Sequence, residues 1–87
     1  MELQHRIFWR KKVSDEEYLK FDYFIKNSCG YSSEKGLTGH RYNTCLINYS
    51  TKDDQLTLEI KSPIETSPKD TLEIILNAMK NGKSLLS

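Results

Sequence analysis

Two histidines, two cysteines, a glycine-bearing stretch and one basic aromatic run are the parts of this chain whose chemistry could extend beyond folding. His5 and His40 suit metal-independent phosphodiester cleavage, with one imidazole as base and the other as acid. Arg41 directly follows His40 and would be a nearby cation for such a site. Nothing in the linear order brings the two rings together, so a small nuclease is the third of three functional readings and no enzyme is expected. Cys29, His40 and Cys45 fail as a zinc set. Ten residues separate the first two and four separate the second two, whereas structural zinc sites use closely spaced ligand pairs. The stretch GYSSEKGLTG lacks the Gly-Lys-Ser/Thr of a phosphate loop and the G-x-G-x-x-G of a dinucleotide site. No metal or cofactor is expected.

The run HRIFWRKK (His5–Lys12) interleaves cations with rings. That pattern suits nucleic acid: Arg10 and the later Arg41 on phosphates, Phe8 or Trp9 stacked on a base. It also suits a plain edge strand, because charge at a sheet edge blocks pairing with other chains. The edge strand with a core Trp is the favoured reading, because the chain as a whole has a formal net charge of only +1 and gives no global steering toward nucleic acid.

At 87 residues the chain makes one domain, 1–87, burying a little over ~60% of its unfolded surface. The apolar fraction of 37% includes three Phe, five Tyr and one Trp, enough for one two-layer core. Two cysteines do not make a disulfide framework. The opening MELQHRIF has no apolar core segment, and no run approaches the ~20 apolar residues of a membrane span. The expectation is a soluble cytoplasmic protein with reduced thiols and no membrane partner.

The elements that must position these residues follow from pattern. Gln4–Val13 reads as a strand with Ile7 and Trp9 inward and Phe8 among cations. Ser14 opens a helix through the capping box SDEE, and Tyr18, Phe21, Phe24, Ile25 and Cys29 form its buried stripe. Leu19 and Tyr23 make a second patch. Gly30 is expected to end this helix in a left-handed cap. Gly30–His40, with Tyr31, reads as a loop, either a mobile docking element or a connector. Arg41–Ser50 and Gln55–Lys61 read as a hairpin around the loop Thr51–Asp54, pairing Tyr49 with Leu56, Ile47 with Leu58 and Cys45 with Ile60. Leu46 then falls on the open face. Ser67 caps a second helix with Pro68 at its first position, Leu72, Ile75, Leu76 and Met79 inward, and Ile74 and Ala78 widening the stripe. Residues 82–87 are expected to fray.

The expected fold is α+β: a two-layer β-α-β-β-α sandwich with a small, mostly antiparallel three-stranded sheet and two helices on one face. The leading functional expectation is a protein-binding module, an inhibitor or immunity-type protein that neutralises a toxin or defence enzyme. It rests on small size, the missing catalytic motifs, and apolar positions beyond core needs. Its contact candidates are Phe8, Trp9, Arg10, Leu19, Tyr23, Tyr31, His40, Arg41 and Leu46, since aromatic residues and arginine are enriched in binding hot spots. Binding of RNA or DNA by the first strand is the alternative. A homodimer is a possible arrangement.

Overall fold

A computed structural model describes residues 3–83. The chain runs β1 (His5–Lys12), α1 (Asp15–Ser28), β2 (Gly30–Ser32), β3 (Gly39–Tyr42), β4 (Cys45–Lys52), β5 (Gln55–Ser62) and α2 (Pro68–Asn81). The class is α+β, as the patterns imply, but the sheet has five strands in the order β1-β5-β4-β3-β2. Every neighbouring pair is antiparallel. The tail beyond 83, including Leu85 and Leu86, lies outside the described residues. Within them, no helix is long and apolar enough to cross a membrane.

The two additional strands come from local backbone chemistry that hydrophobic period does not report. Arg41–Ser50 is not one strand. Asn43 takes φ 57, a left-handed conformation its short side chain tolerates, and the chain reverses so that Tyr42 pairs with Cys45. The expected 30–40 loop likewise contains a strand at each end, with Tyr31 opposite His40. Gly30 has no positive φ. The helix stops at Cys29, already extended at φ −116 and ψ 142, and Gly30 opens β2 instead of capping α1.

The β4–β5 hairpin differs in register from the expected one. Asp53 and Asp54 both have positive φ, 53 and 63, and form a two-residue turn whose twist matches the strands. Both strands therefore extend to the turn, and Ile47 pairs with Ile60, Tyr49 with Leu58 and Thr51 with Leu56. The shift from the expected pairing is two residues. An even shift keeps every side chain on its face, so the inner face is the expected one.

That face and the two helices make the core. Phe21, Phe24 and Ile25 of α1, Ile75 and Met79 of α2, and Cys45, Ile47, Leu56, Leu58 and Ile60 of the sheet are buried together. Ile7, Trp9, Tyr18, Cys29, Leu72, Leu76 and Ala78 pack around them. The capping box of α1 is present as expected: Glu17 N–H donates to Ser14 Oγ, and Ser14 N–H donates to Glu17 Oε1. Ser67 holds the cap position of α2, but its side chain makes no capping bond.

Candidate functional site

Because both helices lie on the inner face, the outer face of the sheet is left open along β1 and β5. Side chains alternate along each strand, and the register places Arg6 with Lys61, Phe8 with Glu59, Arg10 with Thr57, and Lys12 with Gln55 and Lys52 on that face. Arg41 joins it from β3, opposite Leu46. Glu59 is the only acid carried by any of the five strands. The overall net charge conceals this segregation. Acids concentrate on helix starts and turns, as in Asp15–Glu17 and Asp53–Asp54, and the open sheet face is cationic.

Phe8 stands midway along the edge strand β1 on this face, 62% exposed. The Arg6 guanidinium carbon lies 5.1 Å from its ring centroid. Such an exposed cation–π contact is worth about 0.5–1 kcal/mol, so a better stacking partner can displace it. Arg10 is fixed on the other side of the ring: its Nε donates to Thr57 Oγ1 at 3.2 Å. The terminal guanidinium nitrogens then remain to face a ligand. Glu59 lies between Arg6 Nη1 and Lys61 Nζ, each 3.7 Å from one of its oxygens.

Leu46 belongs to this face by register but is not available on it. It is 3% exposed, and a cavity of about 100 Å³ beside it is lined by Leu3, Leu37 and Arg41 among others. The 33–38 segment is fastened over that end of the sheet. Asn48 Nδ2 donates to the Thr38 carbonyl at 3.2 Å. Gly39, at φ +147, lies so close that an added Cβ would meet the Asn48 side chain at 2.8 Å. The expectation of Leu46 as an exposed contact is corrected: it is covered by the 33–38 segment, part of the stretch read as either a docking loop or a connector.

The remaining candidates separate into two groups. Phe8, Arg10 and Arg41 share the outer face, the first two on β1 and Arg41 three strand positions away on β3. Trp9, Leu19, Tyr23, Tyr31 and His40 do not. Trp9 packs against the core beside α2, and Leu19 and Tyr23 are half-buried on α1. His40 sits on the inner face between Tyr31 and Tyr49, with ring centroids 5.3 and 5.4 Å away. His5 lies on β1, three strand positions from β3, or about 14 Å at ~4.8 Å per step. Its Nε2 is 3.1 Å from the Ile64 carbonyl. The two imidazoles are not arranged to share one reacting phosphate.

The thiols are equally separate. Burial pushes the Cys29 thiol up to about 11, while Cys45 is in the core with its Sγ 3.1 Å from Thr71 Oγ1. Both are free. No group of three or more His, Cys, Asp or Glu is placed to hold a metal among the described residues.

The alternation of QLTLEIK already places Thr57, Glu59 and Lys61 on the uncovered face of the hairpin, either plain solvent-facing sheet or a partner surface. None of the three is among the named contact candidates, and their link to Arg6, Phe8 and Arg10 appears only once β1 is known to pair with β5. No family model matches this chain, and neither a curated protein nor a solved structure matches it.

Proposed function

We propose that this chain is a binding module for single-stranded nucleic acid, and that the outer face of β1 and β5 is its binding surface. The observation that carries this is the charge segregation: the strands turn six cations and one acid outward, four of the cations (Arg6, Arg10, Lys12 and Lys61) on β1 and β5 themselves, with an exposed phenyl ring among them. Cations alone would serve any polyanion. The ring argues for unpaired bases, because stacking on a side chain requires a base that has left its own stack. Stacking is worth about 1–3 kcal/mol per base, more than the Arg6 contact it replaces, and the released guanidinium can turn to a phosphate. Arg10, already oriented by Thr57, supplies a fork for phosphate at little entropic cost.

The test is fluorescence anisotropy with labelled single-stranded RNA and the matching duplex, measured across a salt series. Binding should favour the single strand and weaken steeply with salt, through counterion release. Salt-insensitive binding, or no binding to either form, would remove the proposal.

A protein-directed inhibitor, of the immunity type that neutralises a toxin or enzyme, is the second reading. What favours it is Tyr31, which is 62% exposed on the short edge strand β2, away from the cationic face. Tyrosine anchors are frequent in hot spots. Tyr31→Ala would weaken such a complex while leaving RNA affinity unchanged.

A further inference from the structure

Glu59 is out of place on a phosphate-binding surface. A carboxylate there repels the backbone it adjoins, and a neutral side chain would serve a purely electrostatic site better. Its cations do not fully account for it. Both lie 3.7 Å away, beyond the ~3.2 Å range of a good N–H···O hydrogen bond. Among the described residues no hydrogen bond reaches the Glu59 carboxylate, so its acceptor sites remain available. Its position is specific as well. Glu59 is the direct cross-strand partner of Phe8, and such pairs have Cβ atoms ~4.5–5.5 Å apart. A base lying on the Phe8 ring therefore presents one edge toward Glu59.

We propose that Glu59 is a specificity-determining residue that reads the edge of the base stacked on Phe8, selecting bases with an exocyclic amine. This deepens the nucleic-acid reading above and rests on it. An ionised carboxylate only accepts hydrogen bonds. It takes the N4 amine of cytosine as a donor and meets the O4 of uracil as one acceptor facing another. Cytosine and uracil have nearly the same ring, so stacking on Phe8 and phosphate contacts with Arg10 are common to both. The difference between them isolates the Glu59 contact.

The experiment compares anisotropy titrations of oligocytidine and oligouridine RNA of equal length, near neutral pH, with the wild-type chain and Glu59→Gln. The wild type should prefer the cytidine tract by between about fivefold and a hundredfold, the range of one good base-edge contact. Glu59→Gln should reduce that ratio to about twofold or less, because an amide can also donate to uracil O4. Its affinity for both tracts should rise as the negative charge is lost. Glu59→Thr, neutral and β-branched, replaces it if the glutamine variant melts below the assay temperature. Equal wild-type affinity for the two tracts overturns the assignment, as does a cytidine preference that survives in the variants. Binding to neither tract overturns both this assignment and the reading beneath it, whereas equal binding to both leaves that reading standing.

Discussion

Arg10 and Thr57 are directly opposed across β1 and β5, and the Nε–Oγ1 hydrogen bond of 3.2 Å between them sets where the guanidinium points. A cation so held is available to a phosphate without first being ordered. Removing it should show in the salt dependence as much as in affinity. Each phosphate contact on a single strand contributes about 0.7 to the slope of log K against log salt. Arg10→Ala should lower that slope by roughly 0.7 and weaken all sequences alike. Anisotropy titrations over a salt series check both. An unchanged slope would place the phosphate elsewhere.

Phe8 tests a different part of the same surface. Its ring is mostly exposed and lies outside the buried cluster, so truncation leaves the core intact. Phe8→Ala should cost about 1–3 kcal/mol of RNA affinity with a salt slope like that of the wild type. Thermal melting should shift by an amount corresponding to about 0.5–1 kcal/mol, the worth of the Arg6 cation–π contact that is lost. A large loss of stability would make Phe8 a folding residue instead.

The contrast between these residues and Leu46 explains what the sequence could reveal. The capping box SDEE, the stripe Phe21–Phe24–Ile25 and the alternation Leu56–Leu58–Ile60 are local signals. Each specifies its own element and inner face, and each recurs in the structure. The facing side of the sheet is not local. Lys61 and Glu59 join Arg6 and Phe8 only through β1–β5 pairing, across more than 40 residues of chain. Leu46 looked exposed because alternation alone decides a face and says nothing of what covers it. The cover is the 33–38 segment, fastened by Asn48 and by the close approach at Gly39. The split at Asn43 and the turn at Asp53–Asp54 were visible as residue types that tolerate left-handed backbone, but both sit inside stretches where the strand pattern was stronger.

The Asp53–Asp54 turn has a stability consequence. Two consecutive residues with positive φ favour Asn-Gly over Asp-Asp, since left-handed backbone costs an L side chain roughly 1–2 kcal/mol and glycine almost nothing. Asp54→Gly should therefore stabilise the domain by up to about 1 kcal/mol, after the larger entropy loss of glycine on folding is set against the relief. Chemical denaturation with an unchanged m-value checks it. If the variant is less stable, the carboxylate of Asp54 has an interaction that outweighs its backbone.

Burial separates the thiols from redox or nucleophilic chemistry in a measurable way. With the Cys29 thiol near 11, about one part in a thousand is thiolate at pH 8, against roughly a quarter for a free cysteine at 8.5. Labelling of native protein by a disulfide reagent should run at least about an order of magnitude slower than labelling of the denatured chain, because the smaller thiolate fraction outweighs the greater nucleophilicity of a high-pKa thiolate. In that chain both Cys29 and Cys45 become reactive. Rapid labelling of one thiol in the native state would restore a reactive role for Cys29, the less buried of the two.

Helix α1 covers the inner side of the sheet, and its start carries a pH signature. The Ser14 backbone N–H donates to Glu17 and, as the largest cause, holds the Glu17 carboxyl below its ordinary 4.5. A folded-state value below the unfolded one means that the ionised form stabilises the fold. That contribution is complete above 4.5 and is lost as the pH falls through the folded-state value. Glu17 is close to solvent, so screening limits the gain to no more than about 0.5 kcal/mol. Glu17→Ala should melt below the wild type at neutral pH, with the gap narrowing once the pH drops under 4.5, while carboxylates common to both chains cancel in the difference. Paired melts at several pH values measure this. A gap that widens in acid would mean that Glu17 stabilises the helix in its protonated form, against both the hydrogen bond to Ser14 and the positive end of the helix.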